Sequence, residues 1–409
     1  MKNVLKIDKP IIGENKIICN YSVEGDWEEV FHKDEQFFLE YNVDISKVPE
    51  SVAIIPFLAN VLPIAWVCDA KIIVPSLDKD FYDSIPEFKK GYQDMFPMID
   101  FKGNLEVGDI VSNEIEDQDG AISFFSGGVD AFNTLTCHLD EKPALITLWG
   151  ADVKLDDVDG WKKVESHIEE TGREFGLDHI IVKSSFRTFL DEWKMSQKVL
   201  SSGDNWWHGF QHGLGIISHA APVMFALGKK HIYFASSFTA ADKGKYKCAS
   251  DPTIDNHIRF CGADVIHDGY EFSRQNKVHN ITQFAKRSGN KLSLRVCWES
   301  KGGSNCCDCE KCWRTILAIY AEGFDPREFG FEYDDFGKLL RRMHMYRDKM
   351  RQNSRSRYNP IQEALHKNYT LDSVNKDLRW FYNADIDHIS DFSIPQRIKR
   401  KIQQKLFGC

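Results

Sequence analysis

The chain has 409 residues, a formal charge of −9, a hydrophobic fraction of 42% and a charged fraction of 28%, the profile of an ordinary globular protein of two to three domains. Five of its 11 cysteines fall between Cys297 and Cys312, which excludes a secreted disulfide scaffold and favours reduced thiols in the cytoplasm. No apolar h-region follows Met1, and the longest apolar run, Val52 to Val67, contains Pro56 and Pro63 and is too short for a bilayer, so no membrane partner is expected.

Residues 1–118 read as a separate α+β domain with no role that the sequence names. Ile17 to Val23 and Gln36 to Val43 suit strands, Ile54 to Trp66 a proline-kinked helix, Lys71 to Pro75 a buried strand, and Asp83 to Met95 an amphipathic helix. Asn113 to Gly120 has the composition of a linker. From Ala121 the rhythm changes. Ala121–Phe125, Ala144–Trp149, His179–Val182 and His231–Ala235 are short apolar strands, and Phe132–Leu139, Gly160–Phe175 and Gly209–Leu227 are helical by spacing. Alternation of this kind predicts a parallel, doubly wound α/β sheet over 119–330, with Phe186 to Trp207 as an insertion. Residues 331–409 read as helical, over Phe336–Met350, Pro360–Asn368, Leu371–Phe381 and Pro395–Leu406, with Arg351 to Arg357 as an exposed link. This last region holds 16 Lys and Arg against 10 Asp and Glu, a charge of +6, which leaves −15 for the first 330 residues. A basic tail on an acidic body suits nucleic acid or an acidic partner, or simply a solvated helical face.

Two motifs carry chemistry. Ser126-Gly127-Gly128-Val129-Asp130 follows the first apolar strand of the α/β region. Glycines let the backbone N–H groups converge on a phosphate, and the following helix aims its positive end at the same point. Ser126 adds a hydroxyl, and Asp130 orders the loop or helps hold Mg²⁺. The loop lacks the Gly-Lys-Ser/Thr of a Walker A motif, and an ordinary strand-to-helix turn is the bland alternative. The second motif is Cys297-x8-Cys306-x2-Cys309-x2-Cys312. Four thiolates at this spacing suit one tetrahedral zinc, with Cys297 at the end of a strand over Leu292–Val296 and Cys307 as a spare. An iron–sulfur cluster is the rival, but the x3 spacing and following proline of ferredoxin runs are missing.

The first motif resembles the signature of the PP-loop ATP pyrophosphatases, and the resemblance implies a fold of adenine-nucleotide α-hydrolase type. These enzymes cleave ATP between its α- and β-phosphates and activate carboxyl or carbonyl oxygens as adenylates. By this resemblance Ser126 and Asp130 are catalytic, and Ser126, Gly127, Gly128, Val129, Asp130, Leu148 and Gly150 bind ATP, the last two at the adenine edge. The usual signature ends in Ser or Thr, where this chain has Ala131, so one hydroxyl contact to pyrophosphate is absent. With the zinc ligands Cys297, Cys306, Cys309 and Cys312 added, residues 121–325 look like the 7-cyano-7-deazaguanine synthase family of queuosine biosynthesis. The longer, synthase-like chains also occur in bacterial antiviral defence clusters. The resemblance implies a ligase that uses ATP, Mg²⁺ and Zn²⁺ on a small-molecule or macromolecular carboxylate, with ammonia or another amine as second substrate, and it leaves room for a homodimer. An RNA-modifying enzyme such as a tRNA-thiolating one, with the basic tail on RNA, and a non-catalytic nucleotide-binding defence component are the alternatives.

Weaker candidates are Ser236 and Ser237 after the fourth strand, Asp251, Arg274 and Lys277, each as often a cap or surface residue. His208 and His212 share a helical face at i, i+4. No acidic ligand on that helix completes a second zinc site. Trp206 and Trp207 suit the core better than a base-stacking platform.

Overall fold

The computed structural model describes residues 2–32, 35–113, 115, 118–297, 303–350 and 354–391. They fall into two bodies, Met1–Ser126 with Asp130–Glu271, and Gly127–Val129 with the residues from Phe272 onward. The expected boundaries near 118 and 330 are not where the chain divides. The basic C-terminal helices and the cysteine segment share one body, and the N-terminal residues share the other with the α/β sheet.

The first body holds two sheets. The smaller has the order β4-β1-β6-β7, with β1 Asn3–Ile7, β4 Tyr21–Glu24, β6 Ala70–Asp78 and β7 Asn104–Val111. The larger has nine strands in the order β12-β13-β11-β8-β9-β10-β5-β3-β2. Its members are β2 Ile11–Ile12, β3 Lys16–Cys19, β5 Phe37–Tyr41, β8 Ala121–Phe124, β9 Ala144–Trp149, β10 His179–Ser184, β11 His231–Ala235, β12 Arg259–Phe260 and β13 Ala263–Asp268. β8, β9, β10, β11 and β13 are parallel. In chain order they occupy places 3-2-1-4-5, a doubly wound arrangement whose winding reverses between β8 and β11.

The single strand expected over Ile17 to Val23 is two. β3 pairs antiparallel with β5 in the large sheet, and β4 pairs antiparallel with β1 in the small one. The N-terminal segment is therefore not a separate domain. β5 pairs antiparallel with β10, Val182 opposite Tyr41 and Ser184 opposite Leu39. That pairing covers the edge that β10 would otherwise expose. The apolar run Val52 to Val67 becomes the short helix Glu50–Ala53 and the helix Ile55–Val67, which is buried from Ile55 through Trp66. No helix among the described residues is long and apolar enough to cross a membrane. Phe57 packs on Tyr21, Phe37 and Phe189, so this helix welds both sheets' strands to one aromatic core.

His219 lies in that core with no exposure. Its Nδ1 is 2.7 Å from the Gly215 carbonyl and its Nε2 2.8 Å from Ser184 Oγ. The carbonyl can only accept, so Nδ1 carries the proton and Nε2 accepts from the serine. Burial pushes its pKa down to about 4, against an ordinary 6.5, despite the carbonyl partner. The unfolded chain therefore binds a proton between pH 6.5 and 4 that the folded protein does not. Stability from this group is full above pH 6.5 and falls with pH, by about 3 kcal/mol once pH 4 is reached. The melting temperature is expected to drop steeply over that window. His219→Gln should flatten that part of the pH profile, whatever it does to the melting temperature at pH 7.5.

The second body is mostly helical, with Arg274–Ser288, Glu310–Ala321, Phe336–Met345 and Ser354–Asn368 as its main helices. The strand expected at Leu292–Val296 is not formed. That segment runs extended without a ladder, held by Leu294 N–H on the Phe329 carbonyl (3.0 Å), Arg295 N–H on the Gly127 carbonyl (2.7 Å) and Val296 N–H on Asn305 Oδ1 (2.9 Å). Leu371–Phe381 also departs from a continuous helix. Only the turns Lys376–Leu378 and Arg379–Tyr382 are helical. The expected helix Pro395–Leu406, part of the Asn113–Gly120 linker and Arg351 to Asn353 lie outside the described residues.

Candidate functional site

β8 delivers the Ser-Gly-Gly segment to the carboxyl edge of the large sheet, at the point where the winding reverses. Open α/β sheets bind ligands at such a point, because the connections diverge there and leave a crevice. Phe125 is tied to β9 in both directions. Its N–H donates to the Ile146 carbonyl (2.9 Å), and its carbonyl accepts from Thr147 Oγ1 (2.5 Å). The chain then turns through exposed Ser126 into Gly127, whose φ of +74° is left-handed, and the helix Val129–Cys137 begins. Gly127 has a backbone reason to be glycine. Gly128 has no positive φ, so the backbone conformation does not by itself demand a glycine there. Asp130 is half-buried in the first turn, and Ala131 is 4% exposed.

Other residues singled out from the sequence have structural employment. Leu148 is buried in β9. Gly150 has φ +111°, and a Cβ there would sit 2.1 Å from the Ser184 carbonyl oxygen. This glycine is explained by backbone crowding between β9 and β10, whatever else it binds. Gly150→Ala is expected to cost about 3 kcal/mol, from strain and overpacking together, read as a fall in urea midpoint at unchanged m-value. Ser236 Oγ donates to the Phe238 carbonyl (2.7 Å), while Ser237 is exposed. Asp251 caps the helix Pro252–Asp255 through the Thr253 N–H (2.9 Å) and hydroxyl (2.6 Å). Arg274 and Lys277 lie in the first turn of Arg274–Ser288 in the second body, behind the Ser273–Asn276 capping box, and Lys277 is 2% exposed.

The four cysteines converge. The ligand atoms of Cys297, Cys306, Cys309 and Cys312 all lie within 4.8 Å of one another. Cys297 and Cys309 sulfurs are 3.8 Å apart, and those of Cys306 and Cys312 3.9 Å. Zinc–sulfur bonds of about 2.3 Å in a tetrahedron put the sulfurs about 3.8 Å apart. The donor set and spacing therefore fit a zinc ion. The surrounding turn is built to accept negative sulfur, since the N–H groups of Asp308 and Cys312 point at Cys306 and Cys309 Sγ, both at 3.4 Å. Cys309 is also the N-cap of Glu310–Ala321, so the positive end of that helix faces the centre. Cys307 stays outside the cluster. It occupies a left-handed turn position (φ +52°), and its carbonyl accepts from Trp313 Nε1 at 2.9 Å. Part of the basic C-terminal charge is used here. Arg342 reaches both carboxylate oxygens of Asp308 (2.7 and 3.0 Å), and Lys349 bonds its carbonyl (2.9 Å).

The paired histidines turn out to have partners that spacing could not show. His208 Nδ1 is 2.6 Å from Asp204 Oδ2, and His212 Nδ1 is 3.7 Å from the sulfur of Cys248. Asp204 does lie one turn away, but as a hydrogen-bond partner. Trp206 is fully buried and stacks on Phe210 with centroids 5.3 Å apart, as a core residue does. Trp207 lies against the Arg187 guanidinium, 4.0 Å from its ring centroid.

No protein-family model matches this chain, and no curated protein shows significant similarity to it.

Proposed function

We propose that the chain is an ATP-dependent adenylating ligase of the PP-loop kind, similar to 7-cyano-7-deazaguanine synthase. The observation that carries this reading is the position of Ser126-Gly127-Gly128 at the reversal point of a 3-2-1-4-5 parallel sheet, immediately before a helix N-terminus. A substrate carboxylate attacks the α-phosphorus of ATP, pyrophosphate leaves, and an acyl-adenylate forms. An amine, with ammonia the simplest, then displaces AMP and makes a carbon–nitrogen bond. Ser126 and the N–H groups of Gly127, Gly128 and Val129 hold the pyrophosphate end, and Asp130 orders the loop or helps hold Mg²⁺. The protein's share is positioning and charge stabilisation. The zinc is structural in this reading, because its four protein ligands leave no open position.

The test is product analysis. Wild-type protein with ATP, Mg²⁺ and a panel of carboxylates should release pyrophosphate and AMP in equal amounts, and ammonia should convert one carboxylate to its amide or nitrile. Release of ADP and phosphate, or no turnover of ATP with any carboxylate, would remove the adenylation reading.

A further inference from the structure

Cys248 is a buried thiol that the adenylation reading does not use. It is 4% exposed. His212 Nδ1 lies 3.7 Å from the sulfur, and His208, four residues earlier on the same segment, acts on the thiol electrostatically. Asp204 Oδ2 occupies His208 Nδ1 at 2.6 Å. The two segments are locked together by the Ala249 N–H on the His208 carbonyl at 2.9 Å. His208 sits on a π-helical turn, Trp207–Gln211, which His212 closes through its N–H on the Trp207 carbonyl at 2.9 Å. Such turns are rare and are frequently found at functional sites.

The electrostatics match the geometry. Burial pushes the Cys248 thiol up, but the hydrogen bonds and charges of His208 and His212 outweigh it and bring it down to about 6. His208 rises to about 10, first through Asp204 and then through Cys248. Burial opposes the charge on His212, yet the thiolate raises its pKa too. Buried thiols without such partners go the other way, as Cys19 does, pushed up to about 12. Asp152 and Asp255 also act on His212, Cys248 acts on the Tyr92 phenol, and Lys247 adjoins Cys248 in the chain.

The cluster belongs to the carboxyl edge of the large sheet. The His212 ring is 6.3 Å from Phe234 near the end of β11, and the His208 ring 6.2 Å from Phe238 just beyond it. Asp152, which acts on His212, follows Gly150 at the end of β9. β8, the strand that ends before Ser126, runs between β9 and β11.

We propose that Cys248 is a nucleophile that accepts the acyl group of an activated carboxylate, with His208 and His212 holding its sulfur and Asp204 orienting His208. The sulfur attacks the carbonyl carbon of an acyl-adenylate, the carbon–sulfur bond forms, and the carbon–oxygen bond to phosphate breaks with AMP taking the electron pair. Acylation removes one of the two anionic partners of His208, and the other, Asp204, keeps its proton in place. The amine then attacks the thioester carbon, the carbon–sulfur bond breaks with the sulfur taking the electron pair back as thiolate beside protonated His208, and the amine proton leaves to solvent. No oxidation or reduction occurs. A metal fits these residues less well, because the four zinc-type cysteines are the group of three or more ligand side chains that converges within 4.8 Å among the described residues.

The source of the acyl group rests on the adenylation reading, and the reactivity of the thiol does not. The full chain is treated with methyl methanethiosulfonate from pH 5 to 9, and separately with synthetic acetyl adenylate without ATP, and labelled peptides are mapped by mass spectrometry. Cys248 is expected to react with a midpoint near pH 6 and to take up one acetyl group that hydroxylamine removes. His208→Gln should slow thiol modification at pH 6.5 at least tenfold. A midpoint at pH 8.5 or above, or no acetyl group on Cys248 while Cys248→Ala turns over normally, overturns the proposal. Two zinc ions per wild-type chain falling to one in Cys248→Ala also overturns it, in favour of a metal site. A reactive, acetyl-accepting Cys248 in a protein that releases no pyrophosphate from ATP upholds the nucleophile and sinks the adenylation reading alone.

Discussion

Cys309→Ser is expected to remove zinc from the protein and unfold the second body. Wild-type protein should carry about one zinc per chain, and the variant less than a tenth of that. Structural zinc in small sites contributes an apparent 10–16 kcal/mol (about, at neutral pH), whereas a whole domain is stable by only about 5–15 kcal/mol. Losing the ion therefore exceeds what the rest of the packing can absorb. Cys309 has two further jobs, as the N-cap of Glu310–Ala321 and as acceptor of the Cys312 N–H, and a serine oxygen replaces only these. Cys297→Ser should behave similarly, because its sulfur is 3.8 Å from that of Cys309. Cys307→Ser is the control. Its side chain lies outside the cluster, so zinc content should stay at the wild-type level. Elemental analysis with thermal melts decides the matter. Full zinc in Cys309→Ser, or stoichiometric iron and sulfide in wild type, would refute the centre as described.

Gly128→Val is expected to abolish ATP binding while the fold survives. The residue is half-buried at the start of the helix and does not have a positive φ, so valine is allowed by the backbone. Its two methyl groups would stand where a phosphate must approach the loop N–H groups. Hydrogen bonds to a charged group contribute about 1.5–3 kcal/mol each, so losing two weakens ATP at least about 100-fold. Gly127→Val should lose both affinity and stability. A branched side chain at φ +74° costs about 1–3 kcal/mol, which lowers the melting temperature by several degrees in a domain of this size. Calorimetric titration with ATP and Mg²⁺, with melting curves for both variants, separates the two effects. Pyrophosphate release at the wild-type rate in Gly128→Val would show that the loop is not the site.

The sequence by itself determined the local features. Strands β8, β9 and β11 were legible because parallel core strands are short, continuous apolar runs. The helix Val158–Phe175 was legible from its amphipathic spacing. The cysteine cluster was legible because ligand spacing within one turn is a local constraint, and Cys306, Cys309 and Cys312 meet that constraint before any tertiary contact forms. Cys297 is the instructive member. Its place in the cluster followed from the count of thiols, but the strand expected before it is absent, because its N–H groups are taken by Phe329, Gly127 and Asn305 rather than by a neighbouring strand.

Tertiary structure alone decided what depended on distant pairing. β3 and β4 are separated by one residue and belong to different sheets, and no local signal marks such a switch. The antiparallel addition of β5 to β10, which joins the N-terminal segment to the α/β sheet, depends on residues far apart in the chain. Strand order is likewise invisible in a list of strands. Only the pairing of β8 with both β9 and β11 puts the Ser-Gly-Gly turn where the winding reverses. Cys248 is the clearest case. Nothing in its neighbours along the chain distinguishes it from a structural thiol. His208 and His212 bring its pKa down, and Asp204 and Asp152 favour the charge on those histidines while burial opposes it, because charge in a protein interior is set by what lies within a few ångströms and not by what lies adjacent in sequence.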